Sequence, residues 1–476
     1  MNLISPEFIG FLLVCLMFWF IAYRFFSWEA QKWILCIFSF GFYFSNSIFY
    51  GILFIGFCVF VHLAAIQLAS LEGNSRKSFF VVTLLVPLIG LFFFKYFKFS
   101  LDIFSSIAHL EIQSGRIRDI ANSILLPIAV SFTVLISVGY LVDTYKKTYS
   151  PSINAVDTLL FLSFFGHLIA GPIVRGNELL PSFRERTIYN KSSLIETFRQ
   201  GTILIAIGYF KKVCIADPIG STQELIWITP DQYSSFSLWL ALFAYAFQIY
   251  FDFSGYTDIC RGCGKLFNIE IVQNFNRPYL SATPQEFWKR WHMSLSRWIK
   301  DYLYIPLGGG RVGPIRKSVN LVFVMTVCGL WHGASWNFIV WGFYQGLLLV
   351  LTPVLFPIEM LKTVGRYHWI RIFSTLITFI LICIGWVFFR ASSLSVATCY
   401  LSRLFISNNY FEGTTITALI LCLTYGLLHL RIGGKCIRSI LLNFKWRAVT
   451  GFVLAIIMFS IKEMFITGTP FIYFQF

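Results

Sequence analysis

Charged residues are scarce in this chain: only 13% of its 476 positions are Asp, Glu, Lys or Arg, about half the usual share of a soluble domain. A chain so poor in charge cannot cover a water-soluble fold of this length, so its 57% of hydrophobic residues must face another solvent. Acidic residues are scarcer than basic ones, 22 against 38, which leaves a net charge of +16. The cations are not gathered in one polar domain, as nucleic-acid binding requires, but fall in short loops between apolar runs. That excludes nucleic acid and points to membrane lipid, through its anionic headgroups, and to phosphorylated substrates. There is no low-complexity tract, no polar stretch of domain size and no internal repeat of the kind that marks many transporters. Residues 1–476 therefore read as a single membrane-embedded domain.

A disulfide framework is missing as well, because the 11 cysteines are scattered, mostly singly and within apolar runs, where they act as small packing residues. Cys260-x-x-Cys263 is the exception, but no second Cys or His pair follows at zinc spacing, and neither a metal nor a bound cofactor is expected. The first apolar run lacks the basic flank and small-x-small cleavage site of a signal peptide, so it is expected to stay attached as a span. Glu7 precedes it and Arg24 and Lys32 follow, which favours an external N-terminus.

What is present is a succession of apolar stretches, each long enough to cross a bilayer at roughly 20 residues. They begin near Phe8, Trp33, Phe79, Ile124, Thr158, Thr197 and Phe236, and again near Val319, Trp336, Ile372, Thr414 and Val449. The expected fold is all-α: a polytopic membrane protein with about ten to twelve transmembrane helices. Residues 172–195 and 252–317 interrupt the pattern with polar and basic side chains. In the second region Thr283-Pro284-Gln285-Glu286 reads as a helix start, with Thr283 as N-cap and Glu286 reaching back in a capping box. Along the helix expected from there, Phe287, Trp288, Trp291, Leu295, Trp298, Ile299 and Tyr302 share one stripe, with Lys289, Arg290, Arg297, Lys300 and Asp301 opposite. Such a helix suits the headgroup level or the lining of an entrance.

His332 ends the apolar run Leu321 to Trp331 and lies between Gly329 and Gly333. An ionisable residue at such a place is functional by default, and the glycines permit close approach of backbone or substrate. The alternative is a neutral histidine hydrogen-bonded between helices. His292, on the edge of the aromatic stripe, is either a second polar group of the same site or a side chain held by packing. The other histidines, His62, His109, His167, His368 and His429, lack comparable surroundings. Asp252 and Asp258 follow a span, and a structural pairing with Lys or Arg comes before substrate positioning as their reading. Gly308-Gly309-Gly310-Arg311-Val312-Gly313 fits G-x-G-x-x-G without a Rossmann unit around it. Its glycines, with Arg311, Arg316 and Lys317, either hold phosphate groups of a donor such as coenzyme A or form a plain turn. The terminal residues 471–476 are aromatic to the end, which suits an interfacial anchor.

Asp252-Phe253-Ser254-Gly255-Tyr256, Asn274-Phe275-Asn276-Arg277-Pro278-Tyr279-Leu280, Glu286 to Ser296, Asp301 to Gly309 and Trp331-His332-Gly333 occur in that order. Together they closely resemble the membrane-bound O-acyltransferase family, in its bacterial alginate O-acetylation branch, most densely over residues 240–345. The resemblance implies a ring of helices around a thinned centre, with funnels from both sides meeting at His332. It further implies transfer of an acetyl group from a cytoplasmic thioester, coenzyme A or an acyl carrier, to an extracytoplasmic polysaccharide. A periplasmic SGNH-type or related partner would complete delivery, from a protein of the bacterial inner membrane. His292 matches the branch's second recurring histidine; Trp331, Asp252, Arg290 and Arg311 become candidate substrate contacts. Arg261-Gly262-Cys263-Gly264 and Arg277 depart from the commonest branch sequence.

Phe471-x-Tyr473-x-x-Phe476 resembles the terminal motif of the helper peptide of D-alanylation systems. A tyrosine hydroxyl becomes a useful nucleophile only when a base takes its proton. The expected mechanism has His332 as that base and Tyr473 as a candidate acyl-carrying hydroxyl. Two other classes fit the same residues: a transporter or flippase of an anionic sugar carrier, and a scaffold subunit of an export complex.

Overall fold

The computed structural model describes residues 3–108, 116–169, 171–184, 191–357, 368–406, 424 and 426. Among these the chain is helical, with no strand. It divides into two compact units, residues 1–205 with 259–272 and residues 206–258 with 273–476.

The first unit opens with α1 (Pro6–Phe25), α2 (Trp28–Phe44) and α3 (Ile48–Ser70), each started by a serine whose hydroxyl accepts a backbone N–H three residues on: Ser5, Ser27 and Ser47. Polar caps set at the ends of apolar runs are what divide 34–69 into separate helices. α4 (Gly73–Leu91) runs through a π-helical turn at Phe92–Tyr96 into α5 (Phe97–Ala108). Against them pack α6 (Val130–Tyr145) and α7 (Ala155–Ser163).

Six helices among the described residues are long and apolar enough to cross a membrane: Pro6–Phe25, Ile48–Ser70, Gly73–Ala108, Ser235–Leu266, Trp336–Leu355 and Trp369–Arg390. This is a multi-pass membrane protein. The stretches read as spans near Trp33, Ile124 and Thr158 belong instead to α2 (17 residues), α6 (16 residues) and α7 (9 residues). In α7 the apolar side chains serve protein contact, since every residue from Val156 to Ser163 is buried. The stretches near Thr414 and Val449 lie outside the described residues.

Lys32, counted above as a cation of the first loop, is instead buried within α2, where its ammonium reaches Asp157 at 2.6 Å and Glu29 at 2.7 Å. A buried ion pair of this kind says nothing about which side of a membrane it faces.

The second unit contains the end of α8 (Lys191–Tyr209), a π-helical turn at Phe210–Ala216, α9 (Asp217–Ile228) and the first part of α10 (Ser235–Leu266). Then come α11 (Pro284–Arg290), α12 (Met293–Ile299), α13 (Pro314–His332), α14 (Trp336–Leu355), α15 (His368–Arg390) and α16 (Leu394–Arg403). The Thr283 cap is as the sequence indicates, its hydroxyl accepting the Glu286 N–H at 3.1 Å. Glu286 reaches back one residue further than a capping box, accepting the Ala282 N–H at 2.7 Å.

The continuous interfacial helix expected from Pro284 is not formed. It breaks after Arg290: Trp291 is extended (φ −100°, ψ 131°) and His292 is left-handed (φ 42°), so α11 and α12 are separate. The aromatic stripe faces protein, with Phe287, Trp288, Trp291, Leu295, Trp298 and Ile299 all buried. Trp291 lies 5.1 Å from Trp386 of α15, and Trp288 lies 6.0 Å from Trp341 of α14, centroid to centroid. The break lets both parts of the stripe be buried, Trp288 and Trp291 against α14 and α15 and Trp298 beside Tyr302 at 5.1 Å.

Candidate active site

α13 and α14 form a tight antiparallel hairpin because small residues line their seam. A Cβ on Gly329 would lie 2.1 Å from the Phe338 carbonyl oxygen, one on Gly342 would lie 2.3 Å from that of Met325, and one on Gly346 would lie 2.6 Å from the Val322 Cα. Gly333 ends α13 in an extended conformation, and a Cβ there would meet the Phe338 ring at 2.1 Å. The glycines beside His332 thus permit backbone approach, and they fix where the histidine stands.

His332 is the last residue of α13 and only 6% exposed. Its imidazole is enclosed by aromatic rings: Trp331 at 4.9 Å, Trp341 at 5.2 Å and Phe389 at 5.3 Å between centroids, the last two edge to face. Such walls hold the ring and exclude water. The carbonyl end of a helix carries partial negative charge, so an imidazolium formed there during proton transfer is stabilised by α13 itself.

Trp331 joins the two histidines, since the same indole lies 6.4 Å from the His292 ring. His292 is fully buried, not poised at the edge of a stripe, and packs edge to face on Phe253 at 4.8 Å. Its Nδ1 lies 3.3 Å from the Asn274 Oδ1. His292 stands outside the six spans, and burial pulls its pKa from the usual 6.5 down to about 3, so it is neutral at physiological pH.

Asp252, on α10, forms a buried ion pair with Lys212 at 2.7 Å, and Lys212 also reaches Asp217 at 2.7 Å. One turn and a half further along α10, Asp258 meets Lys211 at 2.5 Å. Gly255 lies between the two carboxylates, where a Cβ would come within 2.8 Å of the Gly208 carbonyl oxygen. That close approach brings the helix bearing the acids against the turn bearing the lysines. The pairing reading of Asp252 is the one realised in the geometry.

Arg290 is half-buried and engaged by Glu286 at 2.6 Å. Arg311 is exposed, in a turn whose Gly308 (φ 107°) and Gly309 (φ 56°) are left-handed. It precedes Pro314, at the far end of α13 from His332, about 27 Å along the axis. Arg311 and His332 are therefore not brought together; a single ligand would have to extend the length of α13 to touch both. Tyr473 and the rest of the tail, like His109 and His429, lie outside the described residues. His62 and His167 belong to the first unit, where both are buried and hydrogen-bonded, to Thr158 and to the Phe161 carbonyl.

Three features of the site went unread in the sequence. Trp341 and Phe389 wall His332 from two other helices, and no spacing on one helix signals a partner on another. Asn274 enters the sequence reading only as part of a motif, because nothing local pairs it with a histidine 18 residues further on. Lys211 and Lys212 sit in an apolar run, which was itself the available sign that carboxylates must meet them.

Residues 77–395 match the model of the membrane-bound O-acyltransferase family. The probable alginate O-acetylase AlgI of Azotobacter vinelandii is 37% identical over 329 residues, covering 69% of this chain and 63% of that protein. The probable alginate O-acetylase AlgI of Pseudomonas aeruginosa is 34% identical over 366 residues, covering 76% of this chain and 68% of that protein. The peptidoglycan O-acetyltransferase of Helicobacter pylori is 36% identical over 392 residues, covering 76% of this chain and 71% of that protein. The chain thus spans about two thirds of the length of these relatives.

Proposed function

Because the chain belongs to the membrane-bound O-acyltransferase family, we propose that it transfers an acetyl group from a cytoplasmic thioester to a hydroxyl, for O-acetylation of an extracytoplasmic polysaccharide. The observation that carries this reading is the enclosure of His332 by Trp331, Trp341 and Phe389 at the end of α13, with His292 against the same Trp331 indole. Relatives described as O-acetylating alginate and peptidoglycan support the acetyl group and the polymer class.

In the proposed reaction an imidazole nitrogen of His332 takes the proton of the attacking hydroxyl while its oxygen bonds to the thioester carbonyl carbon. The tetrahedral intermediate collapses with cleavage of the carbon–sulfur bond, and the imidazolium returns its proton to the departing thiolate. The products are an ester and a free thiol. The aromatic walls favour this chemistry by excluding water that would hydrolyse the thioester. His292 supplies a neutral, buried nitrogen to position donor or acceptor.

The donor is acetyl-coenzyme A or an acetylated carrier protein; Arg311, Arg316 and Lys317 suit phosphate groups, but at the far end of α13 they meet only a donor extended along that helix. Tyr473 is the candidate first acceptor, carrying the acetyl group as an ester to a periplasmic SGNH-type partner. The protein is assigned to the bacterial inner membrane, where a cytoplasmic thioester and an outside acceptor meet.

The test uses purified protein in lipid nanodiscs with labelled acetyl-coenzyme A or acetylated carrier. Release of free thiol and intact-protein mass are followed. His332→Ala should lower turnover by about 10²–10⁴, the range of general-base catalysis. Undiminished turnover in that variant, folded to the same yield, sinks the assignment of the base. Tyr473→Phe should abolish a label on the C-terminal peptide; full transfer without it removes the tyrosyl ester and leaves His332 standing.

A further inference from the structure

We infer that Asn274 is a positioning residue, holding His292 in the tautomer with its proton on Nδ1 and presenting the bare Nε2 to a substrate hydroxyl or amide N–H. The consequence for substrate rests on the proposed function; the tautomer itself does not.

The argument starts from the break between α11 and α12. The segment at 274–276 is sewn onto that break by two backbone hydrogen bonds, from the Met293 N–H to the Asn274 carbonyl and from the Asn276 N–H to the Arg290 carbonyl, both 2.9 Å. This places the Asn274 side chain beside the left-handed His292. The Asn274 Oδ1 receives the Ser294 backbone N–H at 3.0 Å and the Ser294 hydroxyl at 2.9 Å.

A backbone N–H can only donate, so the amide end facing it must be the oxygen. The His292 Nδ1 approaches that same oxygen at 3.3 Å. Two lone pairs facing each other would repel, so Nδ1 carries the hydrogen. In a neutral imidazole the second nitrogen is then an acceptor only. That Nε2 is fully buried and has no hydrogen-bond partner among the described residues. A buried acceptor left without a donor is unfavourable, and a ligand's O–H or N–H relieves that on binding. The low pKa of His292 agrees, since a site that kept this ring protonated would have no lone pair to offer.

The experiment is nitrogen-15 NMR of full-length protein, labelled at histidine and held in lipid nanodiscs. The His292 signals are those lost in His292→Gln. An Nδ1–H, bare Nε2 ring in the wild type bears the inference out, and an Nε2–H ring overturns it without any variant. In Asn274→Leu, which offers no acceptor, the Nδ1–H form should lose its dominance; its persistence overturns the role of Asn274. Asn274→Asp, which keeps the accepting oxygen, should restore the hydrogen on Nδ1, a rescue that a merely space-filling residue would not produce. Turnover in His332→Ala is read separately, so failure of the catalytic reading and failure of this one are told apart.

Discussion

The indole of Trp341 meets the imidazole of His332 edge to face, with centroids 5.2 Å apart and planes at 85°. Trp341 is itself 1% exposed, so the contact is part of the core as well as of the site. Trp341→Ala should therefore cost about 3–5 kcal/mol of stability, the range for a large aromatic removed from a core, and admit water to His332. Thermal unfolding followed by fluorescence should show the loss, and thioester turnover per folded molecule should fall at least tenfold. Trp341→Phe should recover most of both; a Trp341→Ala protein with full turnover would show that the wall has no part in the reaction.

Lys212 is the shared cation of two carboxylates, with side chains 2% exposed for Lys212, 1% for Asp252 and 7% for Asp217. Lys212→Met removes the cation that both acids share and should destabilise by about 3–5 kcal/mol, the range seen when one partner of a buried pair is removed. Asp252→Asn should be milder, because Asp217 still pairs with the lysine. If Asp252 positions substrate, Asp252→Asn will raise KM or lower kcat in protein of normal melting temperature. Unchanged kinetics there leave it a structural acid.

The hairpin of α13 and α14 depends on glycine. Gly342→Leu should separate the helices, since even a Cβ would sit 2.3 Å from the Met325 carbonyl oxygen, and should lower both folded yield and melting temperature. Gly313→Ala is the control, with nothing within 4 Å of its added carbon. Size-exclusion profiles and melting curves compare the two. Equal behaviour would contradict the close seam.

His292 imposes a pH dependence on stability of calculable sign. Its folded pKa, about 3, lies below the unfolded value of about 6.5. Between those values the unfolded chain binds a proton that the folded chain does not. The stability from this residue is thus fully present above pH 6.5 and is lost as pH falls toward 3, by up to about 1.4 kcal/mol per pH unit. Melting curves from pH 7 to pH 4 should fall more steeply for wild type than for His292→Gln. Parallel curves would refute the buried neutral ring.

Much of the fold was legible from hydropathy, because lipid forces every exposed turn of a spanning helix to be apolar. α1, α3 and α14, each less than half buried, show this clearly. The same signal misread α7, whose leucines and Phe161 are buried together with Asp157 and Thr158 rather than spanning lipid. It also misread Lys32, a cation whose partner Asp157 is 125 residues away in sequence. The break at Trp291–His292 escaped detection because helical periodicity continues across it, and nothing local marks His292 for a left-handed backbone.

His332 was legible from its own neighbourhood: an ionisable residue closing an apolar helix between two glycines. So was the class of reaction, through motifs in fixed order around it. The sequence by itself determined that the chain is a many-helix membrane protein, that its polar residues cluster at 252–317, and that His332 and His292 are the titratable groups to weigh. Only the tertiary structure decided that one indole, Trp331, touches both histidines, that Asp252 is paired with Lys212, and that Arg311 stands a helix length from His332. Composition and period report on each residue's solvent, which is local; ring contacts, buried ion pairs and tautomers depend on which distant helices meet, and that is settled by packing.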